Sequence, residues 1–157
     1  MEPTVLYLFI NTISMDNNLT AKASVRIKAP VPKVWDALTN PSMIKQYLFG
    51  TEVTSDWKEG SAITYRGSWQ GKEYEDKGII KKIVPGKIFQ STYWSSMSGT
   101  ADIPENYVLV TYELTEENDT TLLSVTQDHC KTEESRQHSE QNWNMVLQEL
   151  KKLLETT

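Results

Sequence analysis

The chain has one cysteine, Cys130, and two histidines, His129 and His138, among 157 residues. A lone cysteine cannot form an internal disulfide, and no cluster of Cys and His suggests a structural zinc site, so a reducing cytoplasm is the natural setting. Basic residues are also in short supply, with 16 Lys and Arg against 21 Asp and Glu and a net charge of −5. That leaves no basic footprint for nucleic acid. Long hydrophobic runs are missing as well. The apolar stretch Val5 to Ile10 is too short to span a bilayer and follows Glu2 rather than the basic flank of a secretory signal, so no membrane insertion is expected. With Met15 as an alternative start, residues 1–14 read as an extension ahead of a domain at 15–157. An extra edge strand and a weak export signal are the alternatives.

What remains is enough for one domain with a core of its own. Thr20 to Lys28 alternate, with Ala21, Ala23, Val25 and Ile27 on one face and Lys22, Ser24, Arg26 and Lys28 on the other, as in a half-buried strand. Pro30 and Pro32 stop that strand and open a helix, in which Val34, Trp35 and Leu38 share a face. Asn40 before Pro41 is a cap and first-turn signal for a second short helix carrying Ile44, Tyr47 and Leu48.

Turn signals then recur at Glu59-Gly60, Gln70-Gly71, Pro85-Gly86 and Glu117-Asn118-Asp119, separating strand-like runs at 49–54, 62–69, 74–84, 88–94, 107–115 and 121–128. With the first strand this makes about seven strands joined mostly as hairpins, hence an antiparallel sheet. Gly67 and Gly78 lie inside strands and mark places for bends. The loop from Ser95 to Glu105 is the longest interruption and a candidate lid. From Glu133 to Glu155 the period changes, and Trp143, Val146, Leu147, Leu150 and Leu154 form one apolar stripe of a long helix. Strands followed by a covering helix predict an α+β architecture with room for an internal pocket.

Aromatic side chains are spread over every element that would face that pocket. The candidate cavity residues are Trp35, Tyr47, Ile63, Tyr65, Trp69, Tyr93, Trp94, Tyr112, Trp143 and Val146. Rings supply apolar area, while Tyr O–H and Trp N–H fix the orientation of a flat or apolar ligand. The competing reading is that the same rings fill a solid core. His129 and Cys130 are adjacent, so on a strand their side chains point apart and no nucleophile pair is expected. Of Asp56, Glu73, Glu75, Asp76 and Asp128 most read as solvated surface charges, and Arg66 as facing water or paired with an acid, with the anchoring of a ligand carboxylate as its alternative. No catalytic, metal or cofactor set stands out, and the chain reads as a non-catalytic binder.

The segment Val25-x-Ile27-x-Ala29-Pro30 with Val34-Trp35-Asp36-Ala37-Leu38-Thr39-Asn40-Pro41 resembles the opening of START-like (SRPBCC, birch-pollen-allergen-like) domains of the activator of heat-shock-protein-90 ATPase homologue group. Further similar stretches are Asp56-Trp57-Lys58-Glu59-Gly60, Gly78-Ile79-Ile80 through Val84-Pro85-Gly86-Lys87, Leu122 through Asp128, and Trp143-x-x-Val146-Leu147-x-x-Leu150-Lys151. Together they span Leu19 to Glu155. The resemblance implies a helix-grip fold, a curved antiparallel sheet wrapped round the C-terminal helix with an apolar cavity between them. It implies a small hydrophobic or amphipathic ligand, lipids among them. A heat-shock-protein-90-type chaperone as partner, or cyclase- or hydrolase-type chemistry in the same cavity, are the alternatives.

Overall fold

The structure, a computed structural model, describes residues 19–156; the expected extension at residues 1–14 lies outside them. Strand β1 (Leu19–Ile27) leads into helices α1 (Val31–Thr39) and α2 (Pro41–Tyr47). Strands β2 (Glu52–Ser55), β3 (Ala62–Trp69), β4 (Lys72–Val84), β5 (Ile88–Ser95), β6 (Val108–Glu117) and β7 (Thr120–Cys130) follow, and helix α3 (Glu133–Glu155) ends the chain. The seven strands form one antiparallel sheet in the order β1-β7-β6-β5-β4-β3-β2. The sheet curves round α3, which is the helix-grip arrangement.

The two short helices form where the proline and cap signals place them. Pro30 takes an extended backbone ahead of α1, and the Asn40 side chain accepts the Ser42 N–H at 3.0 Å to cap α2. Their apolar faces, with Val34, Ala37, Leu38 and Ile44, close one end of the sheet over Ile27, Leu123 and the C-terminal half of α3. Leu147, Leu150 and Leu154 are fully buried there, each contributing about 1.5–3 kcal/mol by leaving water.

Helix α3 also covers the open edge of β1. Glu140 accepts the Lys22 backbone N–H at 3.1 Å, Glu155 accepts that of Lys28 at 2.7 Å, and Lys151 donates to the Arg26 carbonyl at 2.8 Å. An edge strand whose ladder groups are already paired offers little to another chain. At the N-terminus of α3 the Thr132 hydroxyl accepts the Ser135 N–H at 3.0 Å, a side-chain cap.

At Gly78 the backbone of β5 comes so close that an added Cβ would sit 1.7 Å from the Thr92 carbonyl oxygen. The neighbouring Ile79 N–H leaves the ladder and donates to the Thr92 hydroxyl. The register shift of this strand pair falls between Ile80 and Lys82, so Gly78 permits close approach and the bulge follows two residues later. At Gly67 the space a Cβ would fill is taken by the Tyr74 ring of the neighbouring strand.

Candidate functional site

Between the concave face of the sheet and the N-terminal half of α3 lies a cavity of about 590 Å³. Strand alternation builds its sheet side. Tyr65 on β3, Asp76 on β4, Ser91 and Tyr93 on β5, Val110 and Tyr112 on β6 and Gln127 on β7 all point to the concave face. Trp143 and Val146 face them from α3.

The walls are held by aromatic and polar contacts. Tyr112 meets Trp143 edge-on with ring centroids 5.8 Å apart, and Tyr65 meets Tyr93 in the same way at 6.0 Å. The Trp143 indole N–H donates to the Gln127 side-chain carbonyl at 2.8 Å, and the Gln127 amide donates to the Ser139 hydroxyl at 3.3 Å. These bonds fix the angle at which the helix stands off the sheet.

One carboxylate sits among the rings. Asp76 Oδ2 accepts a short hydrogen bond from the Tyr93 hydroxyl, while Asp76 Oδ1 is buried with no partner among the described residues. An acceptor buried without a donor costs about 1–3 kcal/mol, and more when charged. Such a group in a native cavity calls for an explanation. Burial pushes the Tyr65, Tyr93 and Tyr112 phenols well above their ordinary range, with the Asp76 carboxylate adding to the shift at Tyr65 and Tyr93. All three remain neutral O–H groups at any ordinary pH. Those of Tyr65 and Tyr112 have no hydrogen-bond acceptor among the described residues.

The mouth of the cavity is apolar. Phe49 from the turn after α2, Trp69 at the β3–β4 hairpin, Met97 from the loop after β5 and Met145 from α3 are each about half exposed and line it. The loop from Ser95 to Glu105 reaches the mouth through Met97. Its remainder is fastened to the outer face by a 2.6 Å Lys77–Asp102 ion pair and by the Trp94 indole donating to the Thr100 hydroxyl at 3.1 Å.

Of the ten candidate residues, Tyr65, Trp69, Tyr93, Tyr112, Trp143 and Val146 line the cavity. Four lie elsewhere. Ile63 shares the face of Tyr65 but is fully buried in the core. Tyr47 lines a gap of about 20 Å³ at the closed end and donates to the Ala37 carbonyl at 2.9 Å. Trp35 packs against the same core from α1. Trp94 points to the outer face, stacked on Tyr107 with Lys77 above its ring, because it follows Tyr93 on one strand and consecutive side chains take opposite faces.

Asp76 belongs to the group of acids that reads as mostly solvated, and it lies in the cavity. The signal was available: on β4 it shares a face with Tyr74, Gly78 and Ile80, whereas Glu73, Glu75 and Lys77 share the outer face. Arg66 pairs with Glu75 at 3.3 Å. His129 is exposed and bonded to Asp128, and Cys130 is buried. Among the described residues no three His, Cys, Asp or Glu side chains gather to hold a metal ion, and no helix is long and apolar enough to cross a membrane.

Comparison with known proteins places this geometry. No curated protein matches the chain. Among solved structures, the solution structure of ChR145 from Cytophaga hutchinsonii is 48% identical over 88% of this chain and 94% of its own, with a TM-score of 0.78. The Aha1 dimer from Colwellia psychrerythraea shares the fold at 20% identity, 87% and 96% coverage and a TM-score of 0.70. CalU16 from Micromonospora echinospora does so at 23% identity, 85% and 82% coverage and a TM-score of 0.63. The family model for Activator of Hsp90 ATPase homolog 1-like protein matches residues 28–155, and the chain belongs to that family.

Proposed function

We propose that this protein binds a small hydrophobic or amphipathic molecule in the cavity between the sheet and α3, in the cytoplasm and without turning it over. The observation that carries this reading is the cavity of about 590 Å³, walled by Tyr65, Tyr93, Tyr112 and Trp143. Its volume falls in the range that holds a small ligand, and ring walls with a few fixed polar groups suit molecules that are mostly apolar. The hydroxyls of Tyr65 and Tyr112, without an acceptor among the described residues, support it, because they offer donors to a ligand acceptor. The half-exposed ring of Phe49, Trp69, Met97 and Met145 supplies an apolar entrance.

Native mass spectra recorded beside denatured ones test the reading. A discrete extra mass that disappears on unfolding, or a rise in melting temperature with an apolar probe, is expected, since selective binding to the native state stabilises it. A clean protein mass together with no stabilisation by any apolar probe would contradict it.

The same entrance favours a second reading, in line with the family's name. Exposed apolar side chains gathered in one place suit a protein partner, here an Hsp90-type chaperone. Stimulation of the chaperone's ATPase by this protein, lost in Trp69→Ser, would support that role. Neither stimulation nor a detectable complex would dispose of it.

A further inference from the structure

Asp76 is the one charged side chain lining the cavity among the described residues. The cations nearest in sequence and register are turned away and occupied. Lys77 follows Asp76 on β4, points to the outer face and pairs with Asp102, and Arg66 on β3 pairs with Glu75 on that same face. Among the described residues Tyr93 supplies Oδ2 with its only donor, and Oδ1 has none. The described residues thus place a carboxylate inside a ring-walled cavity and bring no counter-charge to its lining. Aromatic faces attract cations through their quadrupole, and most strongly where water is displaced. A carboxylate short of a donor and set among such faces matches a protonated amine, which brings both the missing N–H and the missing charge.

We infer that the cavity selects an amphipathic organic cation, with its ammonium group on Asp76 between Tyr65 and Tyr93 and its apolar body lying toward Val110, Trp143 and Val146. This inference rests on the binding reading above and adds the chemical class of the ligand. Oδ1 is covered by neighbouring side chains, so the entering ammonium shifts rotamers at the site, as ligands of preformed sites commonly do. An alcohol of the same size satisfies the hydrogen bond but not the charge. A carboxylate meets repulsion from Asp76.

The test uses Nile red as a neutral reporter of the cavity and three competitors of one chain length, decylamine, decanol and decanoate, each below its micelle concentration. In the wild-type protein decylamine is expected to displace the reporter at a concentration about tenfold or more below decanol, a difference of one charge-assisted hydrogen bond, and decanoate to be the weakest. In Asp76→Asn the ratio of decylamine to decanol affinity falls toward one. Equal displacement by decylamine and decanol in the wild type would overturn the inference while leaving the binding reading intact. An amine preference unchanged in Asp76→Asn would remove Asp76 as its seat and overturn it too. Failure of Nile red to bind at all would overturn both readings. Should Asp76→Asn fail to fold, equal displacement by decylamine and decanol in the wild type still overturns the inference.

Discussion

The two halves of helix α3 face the same sheet and do opposite things. The C-terminal half, with Leu147, Leu150 and Leu154, lies directly on β1 and on α1 and α2, and its stripe is fully buried. The N-terminal half with the turn at its middle presents Trp143 and Val146, only partly buried, and stands away from β3 to β6. Branched aliphatic side chains interdigitate and close the gap. A large ring propped edge-on against Tyr112 and bonded to Gln127 holds the other half off the sheet. One end is built for stability, and the other keeps open the space that the fold would otherwise close.

The sharpest way to break this contrast is to truncate each half in turn. Leu150→Ala removes a fully buried side chain, and a loss of about 2–5 kcal/mol is expected in urea unfolding. Val146→Ala, in the open half, is expected to cost less than half as much, since its side chain borders space rather than packed atoms. Equal costs would erase the distinction.

Gly78→Ala comes next. The new Cβ would fall 1.7 Å from the Thr92 carbonyl oxygen, so β4 and β5 must part, and a loss of about 1–3 kcal/mol is expected by the same measurement. Because Gly78 lies beside Asp76 and Tyr93, this variant should also weaken Nile red binding.

Tyrosines at the two ends separate stability from binding. Tyr47→Phe removes a buried hydrogen bond to the Ala37 carbonyl and is expected to cost about 1 kcal/mol. Tyr65→Phe and Tyr112→Phe remove hydroxyls with no protein acceptor among the described residues. Their stability is expected to change by no more than about 0.5 kcal/mol, while the affinity for a carbonyl-bearing apolar probe drops severalfold in fluorescence titration. A large stability loss in either would mean that these hydroxyls support the fold.

The smallest effect is at the start of α3. Hydrogen bonds from Arg136 and Gln137 lower the Glu133 carboxyl from its ordinary 4.5 to about 2. A carboxyl whose folded value is depressed contributes stability that is present above the unfolded value and lost as pH falls through the folded one. Glu133→Gln should therefore lower stability slightly at neutral pH, with the difference from wild type fading between pH 4.5 and 2. Glu133 is exposed, so solvent screening keeps the effect small. A difference that grew toward low pH would reverse the sign of this coupling.

Much of this contrast is legible in the sequence, because period-2 and period-3.6 patterns report which side chains are buried. The runs Ala62–Trp69 and Glu133–Glu155 coincide with β3 and α3, and Asn40 caps α2 as its pairing with Pro41 suggests. The distance between two buried faces is not encoded in either period. Ile63 and Tyr65 share one face, yet only Tyr65 meets the cavity, since that depends on where α3 diverges from the sheet. Trp94 was separable from Tyr93 by alternation alone. Asp76 follows the apolar side of β4, but its acidic character draws it toward the solvent-facing assignment, and its bond to Tyr93 comes from the antiparallel pairing of β4 with β5.

The most direct measurement is an amide chemical-shift titration of the isotope-labelled protein with decanol, a neutral apolar probe. Perturbations are expected to cluster at Tyr65, Asp76, Tyr93 and Tyr112 on the sheet and at Trp143 and Val146 on the helix, with Val34, Leu38 and Leu150 unmoved. Perturbations centred on the closed end, or on the outer face around Trp94, would contradict the assignment of the open half as the binding site.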